Sequence, residues 1–363
     1  WGAMIDSEAT AYFSDQFIQL HQEGKRGAAD TLFGFDWRYE NTSDKQGMRM
    51  LSMWTLPQIR YYVGGAPIPA DPDAVMPMDD LDYWSRERGL YVMHTQSVGR
   101  FTFSGGVRRG LYAQYSRRDD EGYRQGAWTG QAGVVYDAGK GFHPYLHWNN
   151  SFEPSAFHDA SGRLLGPTTG QEWELGVHYI PRPNVQVTAS LFDLRRQNLP
   201  RKVRGTSYYA ATGEVASQGF ELEGRVALNP SLRLLGSYTY LDNRITQDTN
   251  PRRIGRKPSG VAMHSLNLRA DAVLHKYDDG ELTLGFGARY IGSRMDESNT
   301  IALGGVTLYD TSLSLARGDS SLTLHVRNLF DKRYCSNIES LWNTPMGFMG
   351  QERTAILSYI RRW

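Results

Sequence analysis

The residues able to do chemistry are thinly spread. Nine histidines and one cysteine occur in 363 residues, and the histidines fall at no metal-binding spacing. There is no His-Glu-x-x-His or His-x-His, no Gly-x-Ser-x-Gly elbow and no Gly-Lys-Ser/Thr phosphate loop. Cys335 on its own permits neither an intrachain disulfide nor a cysteine-rich metal site. His178, His264 and His325 are read as hydrogen-bonded interior groups on the polar side of strands. No nucleophile and base converge, so the chain is read as a non-enzyme. What remains is the chemistry of binding, in which aromatic walls hold a ligand and a few polar donors orient it. Tyr61, Tyr62 and Trp84 flank the stretch Pro67 to Pro77. Tyr208 and Tyr209 sit beside the basic run Arg195, Arg196, Arg201, Lys202 and Arg204, and a second basic group is Arg252, Arg253, Arg256 and Lys257. Basic loops of this kind attract anions over long range; packing between loops is the plainer reading of the same aromatics.

The elements that must position these residues are strands. Apolar and polar side chains alternate with a period of two, as they do when a strand separates two environments. In Trp173 to Tyr179 the odd positions are apolar or aromatic and the even ones polar or glycine. Val185, Val187, Ala189 and Leu191 oppose Gln186, Thr188 and Ser190. Phe220, Leu222, Val226 and Leu228 oppose Glu221, Glu223 and Arg225, and the pattern returns at Leu282 to Tyr290 and Leu322 to Val326. Tight connections at Pro181 to Asn184, Asn229 to Ser231, His275 to Glu281 and Ala316 to Ser320 alternate with long ones at Glu153 to Gly170, Arg195 to Glu214, Asp242 to Gly260, Ser293 to Gly305 and Asp331 to Gln351. Short turns on one rim and long loops on the other define a membrane barrel with lipid outside and water inside; a soluble sandwich is the rival. Aromatics near strand ends, among them Tyr179, Tyr238, Tyr240, Tyr290 and Tyr309, suit interfacial girdles.

Composition agrees. Aromatics are 12% of the chain, with 21 Tyr and 9 Trp, charged residues are 22%, and the net charge is +1. The mean hydropathy is −0.51, and no apolar run of about 18 residues is present to form a membrane-spanning helix. The lack of a basic stripe argues against a general nucleic-acid binder. Trp1 to Asp6 show no secretory signal, so the chain reads either as an internal protein or as a mature piece of something longer. The fold class expected is all-β, an antiparallel transmembrane β-barrel of roughly fourteen to sixteen strands.

From Thr31 onward the chain resembles the barrel of TonB-dependent ferric-siderophore receptors, above all the ferrichrome-receptor branch. The matching segments run in order: Thr31 to Asp36, Gly89-Leu90-Tyr91, Phe101 to Arg108, Pro144-Tyr145-Leu146-His147-Trp148-Asn149-Asn150-Ser151-Phe152-Glu153-Pro154, Pro167 to Gly176, Ser217 to Glu223, Gly236 to Tyr240, Arg289 to Ser293 and, most diagnostic, Val326-Arg327-Asn328-Leu329-Phe330-Asp331-Lys332-Arg333-Tyr334. Asn328 to Asp331 is read as ending the penultimate strand and placing the loop. The last strand runs from Arg353 to Trp363.

The resemblance implies an outer-membrane receptor that imports ferric siderophores, of hydroxamate rather than catecholate type, energised through the TonB-ExbB-ExbD complex. Iron arrives as ferric siderophore cargo, and no covalent cofactor is implied. Residues 1–363 would be one partial barrel, about two-thirds of a barrel of ~22 strands, lacking N-terminal strands, plug domain and signal peptide. Such a wall would leave two open edges. Trp342 lies where ferrichrome-type receptors place an aromatic in the last loop, with Phe348 beside it. Terminal Trp363 reads as an assembly signal for the outer-membrane insertion machinery, although Arg361 stands where an apolar residue is usual. Cys335 lacks the partner of the family's late-loop disulfide, so that loop is expected to be mobile or pinned by packing. The basic loops would draw in an anionic chelate or bind lipopolysaccharide phosphates. The alternative function is a passive porin-like channel built from the strands alone.

Overall fold

The computed structural model describes residues 2–24, 27–49, 76–77, 81–118, 120–203, 205–296, 298–341 and 344–362. Tyr61, Tyr62, Trp342, Trp363, Arg204 and most of the Pro67 to Pro77 stretch lie outside the described residues. One sixteen-stranded antiparallel sheet dominates. Its main path is a meander of neighbours in sequence: β1 (Gly2–Gly24), β2 (Gly27–Arg49), β3 (Leu81–Val98), β4 (Phe101–Ser116), β5 (Glu121–Tyr136), β6 (Phe142–Glu153), β7 (Thr168–Arg182), β8 (Val185–Lys202), β9 (Tyr209–Asn229), β10 (Leu232–Gln247), β11 (His264–Tyr277), β12 (Gly280–Ile291), β13 (Val306–Arg317), β14 (Ser320–Arg327) and β15 (Thr354–Arg361). The short piece Met76–Pro77 pairs with β2. Among the described residues the only helical element is the 3-10 turn Pro251–Arg253.

Cross-strand register sorts the side chains onto two faces. Phe33, Phe35, Leu90, Phe103, Leu111, Trp128, Trp173, Leu175, Leu191, Leu222, Leu268 and Leu324 share one face and are all exposed. Trp128 and Leu90 show 64% and 65% of their surface, which only an apolar solvent tolerates over so wide an area. Asp36, Glu87, Arg108, Gln131, Asn149, Glu172, Glu174, Glu221 and Glu223 occupy the other face. The period of two thus means what a barrel requires.

Tight turns join strands on one rim. Gly99 takes φ 59° between β3 and β4, a left-handed conformation that favours glycine in two-residue hairpins. Three expectations need correction. The connection from Arg195 to Glu214 is mostly strand: Arg201 pairs with Ala210 and Lys202 with Tyr209, leaving only 203–208 as loop, because a ladder continues past the apolar band once its polar side chains reach water. The alternation of loop length is broken at 117–120, a tight turn on the long-loop rim. His264 is not interior. It pairs with Tyr240 and is in phase with Leu266 and Leu268, so it belongs to the outer face, where it meets the Tyr238 hydroxyl at 2.9 Å. His178 and His325 do face inward, opposite Thr188 and Ser312.

The sheet path begins at β1 and ends at β15, and no pairing joins the two among the described residues. Both edge strands carry apolar groups on both faces. Phe13 and Phe17 share a face with Asp15, Tyr12 and Ile18 lie opposite, and all four aromatic or aliphatic side chains are exposed. In β15, Ile356 and Ile360 alternate with Leu357 and Tyr359, again all exposed. The strand β1 precedes the stretch where the sequence shows resemblance.

Candidate ligand-binding rim and polar wall

On β2 to β4 the inner wall is a closed charge network. The Arg108 guanidinium donates two hydrogen bonds to Asp36, at 2.9 and 2.6 Å, and a third to Glu87 at 3.3 Å. Gly89 sits between them: a Cβ there would lie 2.3 Å from an Asp36 oxygen and 2.4 Å from Arg108 Nε, so glycine leaves the space the fork occupies. The Tyr91 hydroxyl donates to Asp15 at 2.7 Å. Asp15, Asp36, Tyr91 and Arg108 line a cavity of about 640 Å³ together with Phe17, Leu32, Met93 and His147.

On β6 to β9 the same wall is acidic. Glu172 accepts from Asn149 at 2.9 Å, and Glu174 accepts from the Tyr145 hydroxyl. Glu221 and Glu223 lie on β9, one strand further along the wall, opposite Ser190 and Thr188 of β8. Among the described residues no lysine or arginine pairs with any of the four; the nearest basic group along β9, Arg225, donates instead to Gln186 at 3.4 Å.

The long-loop rim above β10 to β15 holds much of the molecule's buried surface. Ile245, Val306 and Leu308 are its apolar core, and Arg294, Asp296 and Asn328 are buried with them. Asn328 shows why its motif recurs at a strand end. It has φ 48°, its amide donates to Lys332 O at 2.9 Å and Gln351 O at 3.0 Å, and its side-chain oxygen accepts from Lys332 N at 2.8 Å. It ends β14 and places the loop, as the sequence suggests. Arg294 donates to Ser336 O at 2.5 Å and to Cys335 O at 3.3 Å, tying its loop to the hairpin of Cys335–Leu341 and Thr344–Met349. The late loop with its lone cysteine is therefore pinned by a buried arginine. Asn299 exchanges hydrogen bonds with the Lys257 backbone at 3.1 and 2.8 Å, joining the adjacent loop to the same body.

Two loop carboxylates are tuned by hydrogen bonds within their own loops. Burial would raise Asp296, but the Ser298 hydroxyl and the backbone N–H groups of Ile301, Thr300 and Ser298 outweigh it and hold the group at about 2. Asp159 is also lowered to about 2, chiefly by the Ser161 hydroxyl and then by the Arg163 N–H.

The candidate aromatics separate. Tyr209 packs its ring, tilted, on Phe157 with centroids 4.3 Å apart and donates its N–H to His158 O at 3.0 Å, so it joins two rim loops, while the Tyr208 carbonyl accepts from Val203 N at 3.1 Å within its own loop. Phe348 is exposed on the rim hairpin. Trp84 stands apart from them on the outer face, stacked on Tyr115 at 5.9 Å and covered by Arg86 at 4.6 Å. Sequence reasoning overlooked the inward tyrosines Tyr83, Tyr112 and Tyr123. Tyr112 and Tyr123 both donate to Gln114, at 2.8 and 3.1 Å. With Arg38, Glu40 and Glu87, Tyr83 and Tyr112 line a pocket of about 170 Å³. The signal was available: Tyr83, Tyr112 and Tyr123 are out of phase with Leu90, Leu111 and Trp128 along their strands.

A meander with a lipid-facing apolar wall, a charged inner wall and loops gathered on one rim defines the wall of an outer-membrane β-barrel. The chain belongs to the TonB-dependent receptor family: the model for the TonB dependent receptor-like β-barrel matches residues 5–329. Members of this family are transport receptors. The chain is 36% identical over 249 residues to the ferrichrome outer membrane transporter/phage receptor of Escherichia coli (strain K12), covering 66% of this chain and 32% of that protein. It is 32% identical over 307 residues to the ferrioxamine B receptor of Salmonella typhimurium (strain SL1344), covering 79% of this chain and 42% of that one. The chain thus spans well under half the length of these curated relatives. In fold it is similar to the ferric-catecholate import receptor Fiu of E. coli K12, with TM-score 0.78 and 18% identity over 98% of this chain and 55% of that one. It is similar also to the ferripyoverdine receptor of Pseudomonas aeruginosa, with TM-score 0.77 and 20% identity over 98% and 49%.

Proposed function

We propose that this chain is the wall and selector of a receptor that takes up ferric siderophores of hydroxamate type across the outer membrane. The observation that carries the reading is the similarity to the ferrichrome and ferrioxamine B receptors, over 66% and 79% of this chain. The architecture is consistent with it, because a rigid rim of cross-linked loops stands over a polar wall. Cargo would meet aromatic faces at the rim, with Trp342, Phe348, Tyr208 and Tyr209 as contacts, joined by Tyr61 and Tyr62 from the sequence between β2 and β3. The phenol oxygens of Tyr83, Tyr112 and Tyr123 offer polar contacts just below. Trp84, on the outer face, suits a girdle better than cargo. Residues 1–363 act in this reading as one partial barrel, and coupling to the TonB-ExbB-ExbD complex runs through a plug segment outside them. Trp363 serves as an assembly signal, and the rim arginines Arg252 and Arg256 draw anionic cargo inward.

Tryptophan fluorescence in detergent tests the reading. Titration with a ferric hydroxamate is expected to quench the wild type saturably and Trp342→Ala much less. Equal quenching in both would remove Trp342 from the site, and none in either would remove the hydroxamate. A passive channel requires closure of the wall, and β1 and β15 do not pair among the described residues.

A further inference from the structure

The smaller recess of the inner wall lies just under the long-loop rim. Glu40 of β2, Tyr83, Ser85 and Glu87 of β3, and Tyr112 and Gln114 of β4 line its volume of about 170 Å³. Register fixes the set. Glu87 stands opposite both Arg38 and Tyr112, and Ser85 opposite both Glu40 and Gln114, so alternate residues of three strands turn inward together. Strands β4 and β5 are joined above it by the tight turn at 117–120, so their connection puts no long loop over the recess.

Its donors are largely spent and its acceptors are open. The Tyr112 and Tyr123 hydroxyls both donate to the Gln114 side-chain oxygen, at 2.8 and 3.1 Å, which leaves the phenol oxygens as acceptors. Arg38 donates to Glu40 at 2.7 Å. Arg108 commits two hydrogen bonds to Asp36, at 2.9 and 2.6 Å, and reaches Glu87 only at 3.3 Å. The carboxylates of Asp36, Glu40 and Glu87 therefore outnumber the guanidinium groups of Arg38 and Arg108, and the surplus negative charge rests on Glu87, which is 42% exposed. A recess of acceptors and phenol rings suits a ligand that is cationic and only donates. A primary ammonium has three donors and no acceptor, and a cation is attracted to the face of a tyrosine ring. At about 170 Å³ the recess is smaller than the ~300–1,000 Å³ of sites that enclose a whole ligand, so it fits one arm of a larger molecule.

We propose that this recess receives the protonated primary amine at the end of one arm of the cargo, and so selects chelates with a free aminoalkyl arm over those in which the arm is capped. The inference rests on the hydroxamate reading above and adds to it a chemical feature of the substrate. Glu87 supplies the charge, and the Tyr83 and Tyr112 rings supply the walls. Arg252 and Arg256 belong to the loop between β10 and β11, well along the sheet, so an anionic group elsewhere on the same chelate is not opposed by this contact.

The test is tryptophan quenching of the full chain in detergent at neutral pH by two probes: the ferric complex of a linear tris-hydroxamate ending in a primary amine, and the same complex with that amine acetylated. Wild type is expected to bind the free amine about tenfold more tightly than the acetylated form, as for a hydrogen bond to a charged group. Glu87→Gln should cut this preference to about threefold or less while leaving the affinity for the acetylated complex unchanged. Tyr112→Phe, which keeps the ring and loses the oxygen, should lose part of the preference. Glu223→Gln, in the acidic patch of β9, should match wild type. Heat-modifiable gel mobility checks folding; if Glu87→Gln is misfolded, Tyr83→Phe combined with Tyr112→Phe is compared instead, with a smaller loss expected in the same direction. Equal affinity of wild type for the two complexes, an undiminished preference in the folded variant, or an equal loss in Glu223→Gln would overturn this inference and leave the hydroxamate reading standing. No quenching by either complex would overturn the hydroxamate reading and this inference with it.

Discussion

Strands β2 to β4 and strands β6 to β9 both turn acidic side chains toward the inner wall, but only in the first set is the middle of the wall neutralised by a cation; in the second the ion pair Arg196–Glu153, at 2.6 Å, lies at the strand ends. Asp36 and Glu87 share Arg108, whereas Glu172, Glu174, Glu221 and Glu223 meet neutral donors or none. In a dry core the second arrangement would not survive, since carboxylates there need partners. Its existence says that this wall faces water or a basic surface outside the described residues. The first set is neutralised from within the chain, and the second carries negative charge without a basic partner among the described residues.

Substitutions can break that contrast. Arg108→Ala leaves Asp36 and Glu87 without their shared cation and is expected to destabilise by about 2 kcal/mol in urea unfolding from micelles. This is below the figure of about 3–5 for a fully buried pair, because 25% of Arg108 and 21% of Asp36 remain exposed. A loss under about 0.5 kcal/mol, as for a surface pair, would show that the network is solvated like any other. Gly89→Ala drives a methyl into the same fork and should cost about 1 kcal/mol through a displaced Arg108; an unchanged midpoint would mean that the side chains move aside freely. In the acidic half the sign reverses. Neutralising Glu221→Gln and Glu223→Gln together should leave stability unchanged or raise it by about 0.5 kcal/mol, by relieving like-charge repulsion across the strands. A clear loss would reveal a cation not accounted for. The smallest effect is at the rim. Asp159 and Asp296 have folded pKa values of about 2, below the ordinary 3.8. A depressed carboxyl contributes stability in full above its unfolded pKa and loses it as pH falls through its folded one. Limited proteolysis should therefore find the rim loops equally protected from neutral pH down to about 4 and progressively cut between about 4 and 2; cleavage that rises already near pH 6 would contradict this.

Much of this was legible in the sequence. Period two over Trp173 to Tyr179, Phe220 to Leu228 and Leu282 to Tyr290 placed strands and faces correctly, because those segments cross the apolar band where every side chain must choose a solvent. Phase failed where the band ends. His264 sits at a girdle, where polar and aromatic groups are both tolerated, and the ladder of β8 and β9 continues through residues whose alternation carries no hydropathy. Strand β1 was missed because Phe13, Phe17, Ile18 and Leu20 put apolar groups on both faces. The binding residues were less legible than the wall. Tyr83, Tyr112 and Tyr123 come together only through the register of three strands, and the buried clamp of Arg294 on Cys335 and Ser336 joins segments 41 and 42 residues apart. No local pattern announces either.

The whole account depends on two solvents meeting one sheet. Spin labels placed singly along β4 (Phe101–Ser116) in a Cys335→Ser background and reconstituted in lipid would read this directly. Collision with oxygen should peak at Phe103, Val107 and Leu111, and collision with a water-soluble nickel chelate at Ser104, Gly106 and Tyr112, in strict alternation. Equal access to both reagents along the strand, or nickel access at Val107 and Leu111, would show that the apolar face never meets lipid.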